Sequence, residues 1–524
     1  MRHKFTLFLA ALACMAGVNA WALDQKDGVY QIGTAQDLAD FAEVVNTQNR
    51  FASAVLTADI DYTTGFVQIA PTPNNSSYRV AYAGVFDGQG HKITVDVEGT
   101  EALGTTALFG GNAGVVKNLV MDGKILAHGK YAAAVVAMNF GSVQNCVSLV
   151  DFTTTADGDN TSGGVVAAGY TNAHIDHCVF AGTVKNAEGT SATNWGGISG
   201  WLNKQSVDNC LSIGTFDIDL TEGNSRPIIR HSDTNTDVPG RVRGNLYADA
   251  WGGTSENPGC TAITAEQVAN GYAAYVLGMG QKIGTDAFPS PLSADRVYAT
   301  GSCDPAVAAG FTNDASLAAR HTGDGYVCST CGMLKTDFVE ADADGFYPIA
   351  NVQQLDWFAA MVNSGRVGIN GKLTADIDMS SLEDFQMIGN DSALYCGTFD
   401  GQYHKISKMV ITRPCLNNPG SVNVGLFGSI GAQSKVKNLT VDETCSVTGY
   451  QHVGGVIGHS SQAGSWDEVE GINSYATVTA YPTNDGGASD AGVGGIVGNY
   501  NDVTYGTMTN CAFLGKVSGT SSAM

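Results

Sequence analysis

The sequence predicts an all-β protein made of two tandem parallel β-helices, each preceded by a short capping helix. Glycine supplies 66 of the 524 residues and charged residues make up only 15%, a composition typical of strands joined by many tight corners. Similar Asn-Cys phrases recur at a constant spacing, and a long N-terminal segment recurs in the second half. Units that repeat at fixed intervals bury their apolar faces by stacking on one another.

The repeated phrases read VQNCVS at 143–148, IDHCVF at 175–180 and VDNCLS at 207–212, so their cysteines are spaced by 32 residues. Short runs rich in Val, Ile, Phe and Ala alternate with Gly, Asn, Asp and Ser, which favours strands and corners over helices. We expect a structural ladder in which cysteines point inward as small fillers and asparagines form turns. Its predicted members are Asn145, Cys146, Cys178, Asn209, Cys210, Asn510 and Cys511.

A longer duplication indicates two copies of one module. DGVYQIGTAQDLADFAEVVN at 27–46 matches DGFYPIANVQQLDWFAAMVN at 344–363, and LTADID occurs at 56–61 and again at 373–378. Each copy opens with apolar residues at i, i+3, i+4 and i+7, the pattern of a helix with one buried face. These residues are Leu38, Phe41, Ala42 and Val45, and Leu355, Phe358, Ala359 and Val362.

The first of these helices also carries a start signal. Thr34 and Asp37 resemble a capping box with Asp in place of Glu. A helix ahead of stacked strands covers the open edge of the first turn, which would otherwise pair with another chain.

The duplication sets the predicted domain boundaries. A first β-helix module with its helix covers residues 23–225, and a second covers 344–524. Residues 226–343 are predicted to hold a C-terminal cap, with a short helix in TAEQVANGYAAYVL, and a cysteine-containing linker. The chain ends at VSGTSSAM, directly after a repeat unit, so we expect the second module to be truncated.

The phrases VGGIVG at 493–498 and MTNCAFLGKVSG at 508–519 resemble the GLUG motif of bacterial secreted and surface proteins. The order LTADID, FDGQGHKI, LFG and VKNL is similar to that of β-helical surface proteins of Bacteroides-like bacteria, with Ala107 in place of the first glycine of GLFG. These resemblances imply a right-handed parallel β-helix and an adhesin-like or matrix-binding role.

The N-terminal residues 1–22, MRHKFTLFLAALACMAGVNAWA, predict a cleaved secretory signal peptide. A basic start precedes an apolar run that is too short to span a bilayer, and small residues flank Trp21 at the expected cleavage site. In a lipoprotein Cys14 would be acylated instead, but Ala11 stands where a larger aliphatic residue is usual. We expect export to the extracellular space or the outer cell surface.

The linker contains four potential metal ligands, Cys303, His321, Cys328 and Cys331. Thiolate and imidazole groups are the donors of tetrahedral zinc sites, and Cys-x-x-Cys-Gly is a familiar zinc knuckle. The alternative is a disulfide or free thiols, which an oxidising compartment favours. Both roles are structural, because no redox fold surrounds the cysteine pair.

Other polar phrases are weaker candidates for chemistry. Both copies contain two aspartates at alternate positions of LTADID, and both contain the Asp and His of FDGQ-x-HK. For the LTADID aspartates turn and edge roles are favoured over catalysis, and for the Asp and His a corner role is favoured over an acid/base pair. EADADG at 340–345 resembles a calcium loop, but Asn351 stands where a twelfth-position Glu is required. The residues concerned are Asp59, Asp61, Asp87, His91, Glu340, Asp342, Asp344, Asp376, Asp378, Asp400 and His404.

Trp195 and Trp201 are the candidate glycan-binding residues. Six residues apart, they would share one strand face and form a platform for sugar rings if both point outward. Core packing is the favoured alternative, because tryptophan is highly buried on average.

The net charge of −23 makes nucleic acid an unsuitable partner, because an acidic surface repels phosphates. The sequence predicts a non-catalytic surface protein that binds polysaccharide, host glycoprotein or another cell-surface ligand. It requires no cofactor, and a structural zinc or calcium ion is an option. The alternatives are a β-helical polysaccharide lyase or glycoside hydrolase, and a spacer region of a longer surface protein.

Overall fold

The structure is a computed structural model that describes most of the chain after residue 22, so the predicted signal peptide lies outside the described residues. The described ranges are 23–72, 79–99, 104–128, 130–155, 161–170, 172–192, 194–202, 205–220, 224–230, 241–252, 257–413, 423–431, 433–460, 467–480, 492–500 and 506–519.

The first half of the chain forms two large sheets, sheet 1 and sheet 2, in which the neighbouring strands are parallel apart from the first pair of sheet 1. Sheet 1 contains Gln25–Lys26, Val29–Ile32, Ser53–Leu56, Val85–Asp87, Val115–Lys117, Ser142–Gln144, His174–Asp176, Ser206–Asp208 and Val242–Arg243. Sheet 2 contains Ile60–Tyr62, Lys92–Glu98, Val120–Ala127, Val147–Ser148, Asp151–Thr154, Val179–Phe180, Thr183–Asn186, Leu211–Ser212, Thr215–Asp217, Asn245–Ala248 and Cys260–Ile263.

Two smaller parallel sheets complete the first half. Sheet 3 contains Thr105–Thr106, Tyr131–Ala132, Thr161–Gly163 and Trp195–Gly196. Sheet 4 contains Phe109–Asn112, Val136–Asn139, Val166–Gly169 and Ser199–Leu202.

The second half repeats this arrangement with five parallel sheets, sheets 5 to 9. Sheet 5 contains Phe346–Ile349, Asn370–Leu373, Thr398–Asp400, Lys435–Lys437, Glu468–Glu470 and Thr507–Thr509. Sheet 6 contains Ile377–Asp378, Lys405–Ser407, Thr440–Val441, Asn473–Ser474 and Ala512–Phe513. Sheet 7 contains Val410–Thr412, Ser446–Gly449, Thr477–Ala480 and Lys516–Gly519. Sheet 8 contains Asn423–Val424, His452–Gly454 and Gly492–Gly494. Sheet 9 contains Phe427–Ile430, Ile457–Ser460 and Val497–Tyr500.

The strand register follows the spacing of the Asn-Cys phrases. Val143 pairs with Ile175, and Ile175 pairs with Val207, so each strand lies beside the strand one repeat later. This pairing confirms the predicted all-β class with parallel strands.

The ladder residues lie on these strands. Cys146, Cys178 and Cys210 are fully buried, and the backbone N–H of Cys178 donates to the sulfur of Cys210 at 3.3 Å. The preceding residues, Asn145 and Asn209, adopt φ values of 51° and 55°, the left-handed region that asparagine tolerates. In the second half Asn510 has a φ of 54°, while Cys511 is only partly buried.

The stack of the first half continues beyond the predicted boundary at residue 225. Val207 pairs with Val242, and Asn245–Ala248 pairs with Cys260–Ile263. The interval between paired residues widens here from 32 to 35 residues, and Gly244 and Asn245 replace the Asn-Cys pair. The regular spacing that revealed the earlier units is therefore lost in the sequence.

The described residues include four α-helices, α1 Ala35–Thr47, α2 Ala265–Ala269, α3 Tyr272–Leu277 and α4 Val352–Asn363. Short 3-10 helices span Asp249–Trp251 and Ala315–Leu317, and the antiparallel strands Tyr298–Thr300 and Gly310–Thr312 form a hairpin in the linker. None of the described helices is both long and apolar enough to cross a membrane.

The predicted helices that open the two copies are present as α1 and α4. The capping box of α1 is formed, because the N–H of Asp37 donates to Thr34 Oγ1 at 3.2 Å and the N–H of Thr34 donates to Asp37 Oδ2 at 3.0 Å. All eight predicted apolar positions of α1 and α4 are buried. Phe41 of α1 packs on Phe86 of sheet 1 with ring centroids 6.0 Å apart.

Helices α2 and α3 differ from the predicted C-terminal cap because they cover the side of the stack. A column of apolar residues in sheet 2, Val147, Val179, Leu211 and Leu246, packs in one cluster with Val268 of α2 and Leu277 of α3. These outward-facing side chains would otherwise be exposed to water, and burying them favours the lateral position.

The two halves have separate cores and contact each other along sheet 1. Val115 packs with Val367 and Ala393 of the second half. Asn209 Nδ2 donates to the carbonyl oxygen of Ser364 at 3.1 Å. The segment that follows α4 therefore joins the halves side by side.

Candidate metal centre

The linker folds its cysteines and histidine into one compact group. Cys303 follows the strand Tyr298–Thr300, whereas His321, Cys328 and Cys331 belong to a turn-rich segment after the hairpin. The Cys-x-x-Cys-Gly turn is closed by a 2.9 Å hydrogen bond from the N–H of Gly332 to the carbonyl oxygen of Cys328. Gly332 has a φ of 72°, which glycine adopts without steric cost.

The four potential ligand atoms all lie within 4.8 Å of one another. The sulfur atoms of Cys303 and Cys328 are 3.6 Å apart, and the sulfur of Cys331 is 3.5 Å from His321 Nδ1. Bonds of about 2.3 Å to sulfur and 2.0 Å to nitrogen in a tetrahedral zinc site place ligand atoms roughly 3.5–3.8 Å apart. The separations of 3.6 Å and 3.5 Å match these values.

The linker cysteines are free thiols in the structure. A disulfide requires sulfur atoms about 2.05 Å apart, much closer than the 3.6 Å between Cys303 and Cys328. Cys303 and Cys328 are buried, and His321 and Cys331 are partly buried. This arrangement gives a metal ion two buried and two more accessible ligands.

The thiols differ in their tendency to ionise. Burial opposes the thiolate of Cys328, but backbone N–H groups of Cys331, Thr322 and Thr330 and the side chain of His321 outweigh it and lower the pKa to about 4. Burial and its cysteine neighbours raise the pKa of Cys303 to about 12. Cys328 is therefore the thiolate already favoured by its surroundings, and a cation would stabilise the others.

The two tryptophans do not form a shared platform. Trp195 is fully buried and packs on Phe152 with ring centroids 5.3 Å apart, so no sugar can reach its ring. Trp201 is 37% exposed, and the Arg230 guanidinium lies 4.8 Å from its ring centroid. Trp195 lies in sheet 3 and Trp201 in sheet 4, which is why they point into different surroundings.

The repeated histidines do not contact the aspartate of their own FDGQ-x-HK phrase. His91 Nδ1 lies 3.2 Å from Asp59 Oδ1, and His404 Nδ1 lies 3.2 Å from Asp376 Oδ1. Asp87 instead accepts hydrogen bonds from the N–H of Gln89 and from Asn118, both at 2.9 Å. Asp59 and Asp376 lie directly before a neighbouring strand, 32 and 28 residues earlier in the chain, so local sequence spacing could not reveal these contacts.

The remaining acidic candidates lie in ordinary structural positions. Asp61 and Asp378 each accept a hydrogen bond from a backbone N–H two residues ahead. Asp400 does the same and also binds Asn438.

The EADADG phrase forms a turn at the start of the second half. Asp342 accepts hydrogen bonds from the N–H groups of Asp344 and Phe346, both at 3.0 Å, and forms an ion pair with Lys372. Among the described residues, the only group of three or more His, Cys, Asp or Glu side chains close enough to hold a metal ion is the linker quartet. Glu340, Asp342 and Asp344 do not form such a group.

Comparison with known proteins gives part-length similarities. No family model matches the chain, so the resemblance to the GLUG motif remains a prediction. Halomucin from Haloquadratum walsbyi is 34% identical over 125 residues, a match that covers 22% of this chain and 1% of halomucin. The chain thus spans a very small part of this relative.

Two solved structures are also similar to parts of this chain. A "putative immunoglobulin A1 protease" from Bacteroides ovatus is 14% identical with a TM-score of 0.36, and the match covers 50% of this chain and 92% of that one. A structure described as an IgA1 protease is 15% identical with a TM-score of 0.28, covering 44% of this chain and 20% of that one.

The descriptions of these structures name proteases, which contradicts the prediction that the chain is not an enzyme. A sequence alone cannot support that prediction, because catalytic groups are recognised by their geometry in the fold. Similarity at these TM-scores does not assign a protease activity to this chain.

Proposed function

We propose that this chain is a secreted, surface-associated protein that binds polysaccharide or glycoprotein along the outer faces of two tandem right-handed parallel β-helices. The parallel stacking of successive strands supports the β-helical part of the proposal. Its right-handed sense follows the strong preference of crossovers between parallel strands. The part-length match to halomucin is consistent with a surface location.

The observation that carries the binding proposal is a pair of rows on the outer face of sheet 2, in which every residue but Leu126 is polar. Residues in register across five strands form two parallel rows, spaced at about 4.8 Å from strand to strand. The first row is Asp96, Lys124, Asp151, Thr183 and Thr215, and the second is Glu98, Leu126, Thr153, Lys185 and Asp217.

These rows are suited to an extended ligand. Asp151, Thr183 and Lys185 are exposed, and Thr183 Oγ1 donates to Asp151 Oδ1 at 2.6 Å. Regularly spaced hydroxyl, carboxylate and ammonium groups match the repeating hydroxyl groups of a polysaccharide chain. The row Thr412, Thr448, Thr479 and Ser518 of sheet 7 offers the same kind of face in the second half.

A glycan and glycoprotein array tests the binding proposal. We expect the purified chain to bind one class of ligand, and the combined variant D151A/T183A/K185A to lose at least tenfold in affinity. Glu266→Ala on α2 is the control, because this side chain is exposed and α2 packs on a different column of sheet 2. Absence of binding on the array, or equal binding by the triple variant, would refute binding along sheet 2.

We also propose that Cys303, His321, Cys328 and Cys331 hold a structural zinc ion. The close approach of four zinc-type donors supports this assignment over a disulfide. Zinc would join the segment after the hairpin to the loop that connects the two hairpin strands, in a region with few buried apolar side chains. Its role would be to keep the linker folded between the halves.

Elemental analysis of protein purified without added metal tests the zinc proposal. We expect about one zinc per chain and a lower melting temperature after chelation, with the loss reversed by added zinc. Cys331→Ser should bind less zinc, whereas Cys260→Ser, a partly buried cysteine outside the quartet, should bind the normal amount. Metal-free protein with a Cys303–Cys328 disulfide by mass spectrometry would overturn the assignment.

A further inference from the structure

A cavity of about 850 Å³ lies beside the linker, where three parts of the chain meet. Its wall includes Asn209 of the first half, α3 and the linker, and Ser364 and Arg366 from the segment after α4. This volume is within the range of about 300–1,000 Å³ that is usual for ligand pockets. The cavity is separate from the outer rows of sheet 2.

The charges around the cavity contrast with those of the whole chain. Four of its lining residues are basic, Arg296, Arg320, Lys335 and Arg366, whereas Asp337 is the single acidic one. The complete chain carries 50 acidic and 27 basic residues. A local excess of positive charge in a strongly acidic protein favours an anionic ligand.

One basic residue is buried without an acidic partner. Lys335 is only 8% exposed, and its ammonium group donates to the carbonyl oxygen of Gly323. Within the described part of the chain, no carboxylate lies within ion-pair distance of Lys335. A bound anion would supply the counter-charge that this buried lysine lacks.

Arg366 gives the second half a direct part in the wall. Its Nη2 atom lies against Gly278 at the end of α3, 2.6 Å from where a β-carbon would stand. The carboxylate of Asp176 is the negative charge that most favours the protonated form of Arg366. The oxygens of Asp176 already contact His177 at 2.7 Å and Asn209 at 3.0 Å. The guanidinium therefore keeps donors for a planar anionic group.

The other basic residues have different surroundings. Arg296 is paired with Asp337 at 3.0 Å, and its guanidinium lies 5.3 Å from the ring centroid of Tyr298. Arg320 is exposed. Tyr275, Tyr298 and Met333 supply apolar surface to the same wall, which suits the C–H face of a sugar ring.

We propose that this cavity binds an acidic saccharide, with its carboxylate or sulfate group held by Lys335 and Arg366. The apolar part of the wall would pack on the sugar ring, and Arg320 would attract the anion at the surface. The site needs both halves of the chain, because Arg366 belongs to the second half and α3 packs on the first.

Binding of matched charged and neutral sugars to the full chain tests this proposal by isothermal titration calorimetry. Digalacturonate and its neutral methyl ester separate carboxylate recognition from sugar recognition, and chitobiose 6-sulfate and chitobiose do the same for sulfate. We expect the charged member of at least one pair to bind at least tenfold more tightly than its neutral partner, with affinity that falls as salt rises. Equal binding within both pairs, or no binding up to about 10 mM, would overturn the proposal.

Three variants assign the contact to the cavity. Lys335→Met should weaken binding of the charged sugar by at least tenfold, and Arg320→Met should also weaken it. Arg366→Met should weaken binding too, provided that circular dichroism shows an unchanged fold. Lys435→Met is the control, because Lys435 lies in sheet 5 and pairs with Glu468. Unchanged affinity in Lys335→Met and Arg320→Met would contradict the proposed site.

Inorganic sulfate separates a saccharide site from a general anion site. We expect it to bind at least tenfold more weakly than the favoured acidic sugar, because it cannot use the apolar wall. Equal affinity would overturn the saccharide assignment. These outcomes are independent of the array experiment, since the triple variant of sheet 2 leaves the cavity intact.

Discussion

His174 Nε2 lies 3.0 Å from the backbone carbonyl oxygen of Gly365, although the two residues are 191 positions apart. His174 belongs to sheet 1 of the first half, and Gly365 follows α4 of the second. This contact lies in the surface where the halves meet, so small changes at Gly365 should be felt in both.

Gly365→Ala should destabilise the junction of the halves. Gly365 has a φ of 110°, and a β-carbon there would stand 2.8 Å from Asp208 Cβ and 3.0 Å from Asn209 Nδ2. We expect a loss of about 2–3 kcal/mol in the free energy of unfolding, measured by urea denaturation. Gly345→Ala is the control, since Gly345 also has a positive φ but open space around it, and should cost about 1 kcal/mol. Equal losses would show that backbone strain alone matters.

Gly141→Ala should disrupt the stacking of the first half. A β-carbon at Gly141 would lie 2.2 Å from the carbonyl oxygen of Gly114, and one at Gly114 would lie 2.1 Å from that of Gly84. Neighbouring strands would have to separate, so we expect a loss of about 3 kcal/mol or more. Thermal unfolding followed by circular dichroism measures the effect. A melting temperature equal to that of the unmodified chain would contradict this close approach.

Cys178→Ala should create a small void in the core. Cys178 is fully buried, and burial raises the pKa of its thiol well above the usual range, so it should also resist alkylation in the folded state. We expect Cys178→Ala to lower the free energy of unfolding by about 1–2 kcal/mol. The same substitution at Cys511, which is only partly buried, should lower it by less than about 0.5 kcal/mol. Rapid alkylation of Cys178 under native conditions, mapped by mass spectrometry, would show that the ladder is accessible.

The second half should lose stability in mild acid because of His459. Burial and the neighbouring His452, 4.4 Å away between ring centroids, lower the pKa of His459 to about 3, whereas an unfolded histidine titrates near pH 6.5. Between these values the unfolded chain binds more protons, so stability rises with pH and is lost as pH falls from about 6.5 towards 3.

The His459→Gln variant checks this pH dependence. Urea denaturation at pH 7 and at pH 4 gives the free energy of unfolding that is lost on acidification. We expect this loss to be about 2 kcal/mol smaller in His459→Gln than in the unmodified chain, a value reduced for partial solvent screening. His404→Gln serves as the control, because His404 is more exposed and pairs with Asp376 at 3.2 Å. An identical pH dependence in His459→Gln and the unmodified chain would refute the prediction.

The local patterns of the sequence were sufficient for the class of fold and for several details. The 32-residue spacing of Cys146, Cys178 and Cys210 predicted parallel pairing, and it matches the register of Val143, Ile175 and Val207. The apolar period in α1 and its Thr34 cap predicted that helix, because both signals depend only on nearby residues. The spacing widens after Val207, and strand pairing continues beyond the predicted boundary at residue 225.

The candidate sites depended more on tertiary structure. Donor types and the Cys-x-x-Cys-Gly turn were enough to predict a metal site, but whether Cys303 approaches Cys328 depends on how the linker folds. The Asp59–His91 contact joins residues 32 positions apart, and the cavity combines side chains such as Lys335 and Arg366 with α3. No short-range pattern contains such distances.

The sequence by itself determined the repeating strands and corners, since apolar runs, glycines and asparagines act through the backbone over a few residues. Only the tertiary structure decided that α2 and α3 cover the side of sheet 2, that Trp195 is buried, and that Arg366 reaches the cavity wall. The physical reason is that packing and charge act between groups brought together from distant parts of the chain, whereas repeat spacing records only how each unit meets the next.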